Sequence, residues 1–146
     1  MRRFFIVILY LVFCLSLISQ ASDSIKYQSL EPYDFHLQYL REDSALLIDV
    51  REYFEYRKSR INGALFLPSS KGYDIAADTL DKEWSLFCYC YSGGRSIKAL
   101  LYFYDKGFRK LFNLEGGIVA WKRYGFPVDK SRVRKKAGER EGERGR

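Results

Sequence analysis

Short apolar runs alternate with amphipathic stretches along most of this chain. Four runs predict strands: ALLIDV (45–50), GALFLP (63–68, stopped by Pro68), SLFCYC (85–90) and RKLFNL (109–114). Such runs are too short for core helices and fit strands covered on both faces. Between them lie helical patterns at PYDFHLQYLR (32–41), EYFEYRK (52–58) and, more weakly, YDIAADTL (73–80). RSIKALLYFYDKG (95–107) places Ile97, Leu100, Leu101 and Tyr104 on one face and stops at Gly107. GGIVAWKRYG (116–125) closes at Gly125, with Pro127 beyond. Strands alternating with helices imply βαβ units. The expected fold is α/β, a parallel sheet flanked by helices on both faces. The expected domain spans residues 42–129, with 22–41 as a lead-in strand or helix.

The two ends read differently. Arg2 and Arg3 precede an apolar run from Phe4 to Ile18, followed by the small-x-small site Ser19-Gln20-Ala21. This is the layout of a secretory signal over residues 1–21, cleaved after Ala21. Fifteen residues fall short of the roughly 20 that span a bilayer core. The expected location is periplasmic or secreted; a membrane enters only if residues 4–18 are retained as an anchor. Beyond Val128 the apolar residues give out, and 130–146 reads as a disordered basic tail.

Charge sharpens that division. The net charge is +7. Arg2 and Arg3 carry two of those charges, and eight Lys/Arg against four Asp/Glu after Val128 carry four more. The body is nearly neutral, which argues against a nucleic-acid face. Cleavage would remove Cys14 and leave only Cys88 and Cys90, two residues apart. That is no disulfide framework. A thiol kept in an oxidising compartment needs a reason, and chemistry is one.

In open parallel sheets ligands bind outside the carboxyl ends of the strands. Three features fall there: Asp49 and Arg51, Cys90, and the turn Leu114-Glu115-Gly116-Gly117. Cys90 ends a buried strand, and Tyr91-Ser92-Gly93-Gly94-Arg95-Ser96 leads into a helix. The glycines let successive N–H groups turn inward as a nest for an anion. The helix N-terminus adds partial positive charge and Arg95 a full one. A thiol in that bowl is expected to be exposed, reactive and ionised, well below the free cysteine value of about 8.5. The bland alternative makes Cys90 a small hydrophobe and the glycines a turn. Cys88, inside the strand, reads as a buried inert thiol, with a resolving partner as the alternative. Cysteine phosphatases use a related bowl with the spacing C-x5-R; C-x4-R here is one residue tighter and suits a single terminal sulfur better than a phosphoryl group.

Four ordered segments resemble the single-domain rhodanese (thiosulfate sulfurtransferase) family. LLIDVREYFEY resembles its LIDVRE-x-x-E-Y segment and SRINGALFLP its GHIPGAINIP segment. YCYSGGRS resembles its YC-x-x-G-x-RS loop, and LFNLEGGIVAWKRYGFPV its LEGG-x-x-AW-x-x-x-G-x-PV ending. The resemblance runs from about Ala45 to Val128. It implies a rhodanese-like fold, Cys90 as the persulfide-forming nucleophile and Tyr91, Ser92, Gly93, Gly94, Arg95 and Ser96 as the substrate cradle. Asp49 and Arg51 match supporting positions, read here as structural ion pairing with Glu115 a candidate partner. Ser59, Arg60 and Asn62 depart from the family's Gly, His and Pro, which puts the shape of that connection in question.

The implied activity is transfer of a sulfane sulfur from thiosulfate or a similar donor to a thiol or cyanide. The implied partners are a small sulfur-containing anion and an acceptor thiol. The alternative is a persulfide carrier or binding module working with a protein partner. No cofactor and no metal is implied, since His36 and the two strand cysteines offer no ligand set.

Overall fold

A computed structural model of the chain describes residues 25–68 and 70–133. The signal-peptide reading of residues 1–21 lies outside the described residues, as does the tail from 134 on. Among the described residues, no helix is long and apolar enough to cross a membrane.

Five parallel strands form one sheet: β1 (Gln28–Leu30), β2 (Ala45–Asp49), β3 (Leu65–Phe66), β4 (Ser85–Tyr89) and β5 (Leu111–Leu114). Their order is β1-β5-β4-β2-β3. The helices are α1 (Pro32–Arg41), α2 (Tyr53–Lys58), α3 (Ser70–Thr79), α4 (Gly94–Asp105) and α5 (Gly117–Arg123). The expected α/β architecture is present. The edges differ from the apolar pattern. β1 lies in the lead-in, where Gln28 and Ser29 are exposed and no apolar run marks a strand. GALFLP contributes only Leu65 and Phe66 to the ladder. Both are edge strands, held by main-chain pairing on one side, so burial leaves little signature in their side chains.

β4 is buried along its whole length, and its alternation splits the core in two. Leu86, Cys88 and, just beyond the strand, Cys90 face a cluster with Ala76, Ala77, Ala99, Leu100 and Phe103 from α3 and α4. Phe87 and Tyr89 face Phe35 of α1 and Ile118 and Trp121 of α5. Phe87 stacks on Phe112 at 4.5 Å between ring centroids and meets Phe35 edge-on at 5.2 Å.

The strand order positions the site. After β2 the chain leaves toward β3; after β4 it leaves the other way, through α4, toward β5. The carboxyl ends of adjacent β2 and β4 are therefore where connections diverge, the switch point at which a crevice opens.

The end of the domain is tied down further than composition suggests. Trp121 Nε1 donates to the Pro127 carbonyl at 2.9 Å, and Phe126 stacks on Trp121 at 4.4 Å. Arg60, one of the departures from the family pattern, exchanges main-chain hydrogen bonds with Asp129 and forms an ion pair with its carboxylate. Arg60 also donates to Ser131 Oγ at 2.8 Å and to its carbonyl at 3.3 Å. A buried arginine thus holds Asp129 and Ser131 against the body.

Candidate active site

Cys90 leaves β4 and the chain turns at once into α4. Gly93, at φ +103°, makes the turn in a region closed to most side chains. Its N–H donates to Cys90 Sγ at 3.1 Å. The carbonyls of Cys90 and Tyr91 point the other way. They accept N–H groups from the first turn of α5, Ile118 at 2.9 Å and Val119 at 3.3 Å. That anchorage needs close approach: a Cβ on Gly117 would stand 2.5 Å from both carbonyl oxygens. The first turn of α5 therefore binds the back of the loop, which frees the amides for the sulfur.

The electrostatics follow. Burial opposes charge on Cys90, yet the N–H groups of Ser96, Ser92 and Gly93 and the Ser96 hydroxyl outweigh it, and the thiol is held below its ordinary range. Cys88 is the reverse case: burial, then the charge at Cys90, pushes its thiol up. One feature departs from the loop reading. Cys90 is only 1% exposed, not open to solvent. Its side chain packs toward α4, with Ser96 Oγ 3.6 Å from the sulfur.

Ser96 Oγ lies 2.7 Å from Asn113 Oδ1, 2.8 Å from the Gly93 carbonyl and 3.6 Å from Cys90 Sγ. Asn113 Nδ2 in turn donates to Ser29 Oγ at 3.0 Å, linking the loop to β5 and β1. Gly94 opens α4 and Tyr91 stands exposed at the groove's edge. Asn113 is a supporting residue the sequence reading missed; a polar residue inside a buried strand was the available signal.

Arg95 does not point its charge freely into the bowl. It forms a two-pronged pair with Glu55, Nη1 to Oε2 at 2.8 Å and Nη2 to Oε1 at 3.0 Å. The pair, first of all its Arg95 hydrogen bond, draws the Glu55 carboxyl below its usual range. Glu55 also accepts the Glu52 N–H at 3.0 Å, closing the N-terminal cap of α2. Glu55 is the second residue missed; it is the second acid of the family's RE-x-x-E segment.

Asp49 and Arg51 pair with one another, and the carboxylate that Arg51 finds is Asp49 rather than Glu115. Arg51 Nη2 donates to Asp49 Oδ2 and to the Ser59 carbonyl, each at 2.6 Å, and its main-chain N–H binds Asp49 Oδ1 at 3.0 Å. The Tyr89 hydroxyl accepts the Ile61 N–H at 3.0 Å on the same segment. This network fixes the connection from α2 to β3 at which Ser59, Arg60 and Asn62 depart from the family pattern.

The rhodanese-like domain model matches residues 34–124 of the chain. The chain belongs to the rhodanese-like domain family. A sulfurtransferase from Allochromatium vinosum is 36% identical over 86 residues, covering 59% of this chain and 79% of that protein. A tRNA uridine(34) hydroxylase from Yersinia enterocolitica is 33% identical over 91 residues, covering 59% of this chain but 26% of the hydroxylase. The chain thus corresponds to about a quarter of that longer relative. Among solved structures, the rhodanese-like domain of the Alr3790 protein from Anabaena sp. is similar at a TM-score of 0.60 and 25% identity, over 78% of this chain and 88% of that one. Within this rhodanese-like domain, Cys90 stands at the loop that the four motifs converge on.

Proposed function

We propose that the chain is a sulfurtransferase that carries sulfane sulfur on Cys90, with thiosulfate or a like anion as donor. The observation that carries the reading is a thiol whose pKa is held below its ordinary range, 3.1 Å from an inward-pointing amide, in a loop whose carbonyls are tied backward. The Cys90 thiolate attacks the outer sulfur of thiosulfate. A sulfur–sulfur bond forms to Cys90, the bond to the sulfonate sulfur breaks, and the electron pair leaves with sulfite. The loop amides and Arg95 take up the charge on the departing anion and then on the enzyme persulfide. A thiolate or cyanide then removes the outer sulfur and returns the electron pair to Cys90.

Intact-mass measurement after thiosulfate treatment tests this directly. One added sulfur atom is expected on the wild-type protein and none on Cys90→Ser, which is expected to fold and be inactive. An unmodified wild-type mass with no cyanide turnover would sink the reading. A persulfide carrier serving a protein partner is the second reading, favoured by the near-sealed position of Cys90. A stable persulfide with slow turnover to small acceptors would select it. Export completes the proposal: N-terminal sequencing of the native protein is expected to begin near Ser22, and an intact Met1 on a membrane-bound form would replace export with anchoring.

A further inference from the structure

Cys90 is 1% exposed, so a reactant reaches its sulfur only when a covering side chain moves. Most sides of the sulfur are fixed. The Gly93 N–H sits 3.1 Å away, and the loop carbonyls behind it are bound by α5. Ser96 Oγ, at 3.6 Å, begins a wall that α4 continues with Ala99, Leu100 and Phe103, all buried. The groove between α2 and α5 is lined by Arg95 and Glu55 but not by Cys90. The side that remains is α3, whose residues pack on the same core cluster as the two thiols.

α3 is a light wall. Of its side chains only Ala76 and Ala77 are fully buried, and both are small. Few buried apolar contacts mark the part of a structure that opens at least cost. A crossover helix starts where its strand has ended, so the first turn of α3 stands at the carboxyl edge of the sheet, as Cys90 does. Among the described residues, the half-buried side chains packed on the thiol cluster at that edge are Leu67 and Tyr73. Leu67 lies against α3 itself, its Cδ2 only 3.1 Å from where a Cβ on Gly72 would stand. Tyr73 is the side chain that crosses from α3 to α4. Its ring meets Phe103 and Tyr102 at 5.6 and 5.8 Å between centroids. Burial, then negative charge at Cys88 and Cys90, pushes its hydroxyl up to about 12, while Arg95 pulls it back and Glu52 adds to the rise. The polar tip of Tyr73 is therefore close to both thiols, on the side where Arg95 and Glu52 stand.

We propose that Tyr73 is the gate of the Cys90 site and sets its specificity by size. Its ring closes the α3–α4 side of the sulfur and yields to slender reactants only. A small anion with a terminal sulfur, or the unbranched end of a longer molecule, passes. A bulky group near the reacting atom is turned away. This rests on Cys90 being the reacting thiol and adds which reactants that thiol can meet.

The test alkylates the protein with iodoacetamide and with a bulky N-aryl iodoacetamide, at a pH where the Cys90 thiol is ionised. Peptide mass spectrometry reads which cysteine is labelled, and each rate is divided by that of free cysteine. Wild type is expected to prefer the small reagent at Cys90. Tyr73→Leu, which keeps apolar packing but shortens the side chain, is expected to raise the bulky-reagent rate about tenfold, which is about 1.4 kcal/mol off its barrier. Tyr73→Phe is expected to keep the wild-type preference. Cys88 shares the cluster and reports its integrity, so it is expected to stay unlabelled in both variants. No size preference in wild type, a preference unchanged in Tyr73→Leu, or labelling of Cys88 in step with Cys90 overturns the gate. Sulfur loading from thiosulfate is read separately. Persulfide on Cys90 without any size preference sinks the gate and leaves the sulfurtransferase reading standing; a size-selective Cys90 that takes no sulfur sinks that reading alone.

Discussion

Two arginines flank Cys90, and each holds a carboxylate. Arg51 and Asp49 are 3% and 0% exposed at their side chains, two residues apart, and further bound to main chain on both sides. Arg95 and Glu55 are 41% and 15% exposed and join α4 to α2 across the groove. The chemistry is the same; burial separates the roles. Removing one partner of a sealed pair strands a charge away from water, so the first pair is a strut whose loss is felt by the fold. The second pair is screened by solvent and worth little to stability. Its guanidinium is available to an incoming anion, and the Cys90 charge also favours its cationic form.

The largest expected effect falls on the sealed pair. Asp49→Ala leaves Arg51 buried without its carboxylate and is expected to cost about 3–5 kcal/mol of unfolding free energy. Urea denaturation measures it; a loss under about 1 kcal/mol would mean that Arg51 simply turns to water. Arg95→Ala is expected to do the opposite. It should cost about 2–3 kcal/mol in transition-state stabilisation with thiosulfate, roughly 30- to 150-fold in kcat/KM, with little change in stability. A turnover unaffected by Arg95→Ala would assign the whole anion task to the loop amides.

The Cys90 thiolate offers a finer comparison. Its ionisation is held below the ordinary thiol range, so alkylation by a small reagent should rise with pH through a midpoint below about 8.5. Ser96→Ala removes one donor to the sulfur and should move that midpoint up, slowing labelling at pH 7 about three- to tenfold. Arg95→Ala should move it up by less. A midpoint that stays put in both variants would leave the main-chain amides as the sole cause.

These contrasts also show what the sequence could carry. β2, β4 and α4 are legible because their apolar residues are sealed in the core, and burial writes directly into composition. The nucleophile loop is legible because thiol, glycines, arginine and helix follow in one order. β1 left no trace, since an edge strand of Gln, Ser and Leu is held by its ladder to β5. The destination of Arg95 was hidden for another reason. Glu55 lies forty residues away, and only the divergence of connections at the β2–β4 switch point brings the two together. Cys90's burial was hidden too, because depth beneath Ser96 depends on how α4 lies over the loop.

The smallest expected effect decides what the half-exposed pair is for. Glu55 occupies the Arg95 guanidinium with both oxygens, so an anionic donor must compete with it for the same planar donors. Glu55→Gln keeps the shape and removes the charge. Arg95 then presents its full cation to the groove, and the KM for thiosulfate should fall about two- to threefold at low ionic strength, with the gain fading as salt rises. Stability should change by less than about 1 kcal/mol, since the pair is partly solvated. A rise in KM instead, with Glu55→Asp also impaired, would show that Arg95 works only when the carboxylate aims it. The second pair would then be a positioning device like the first, and burial would separate the two in energy but not in kind.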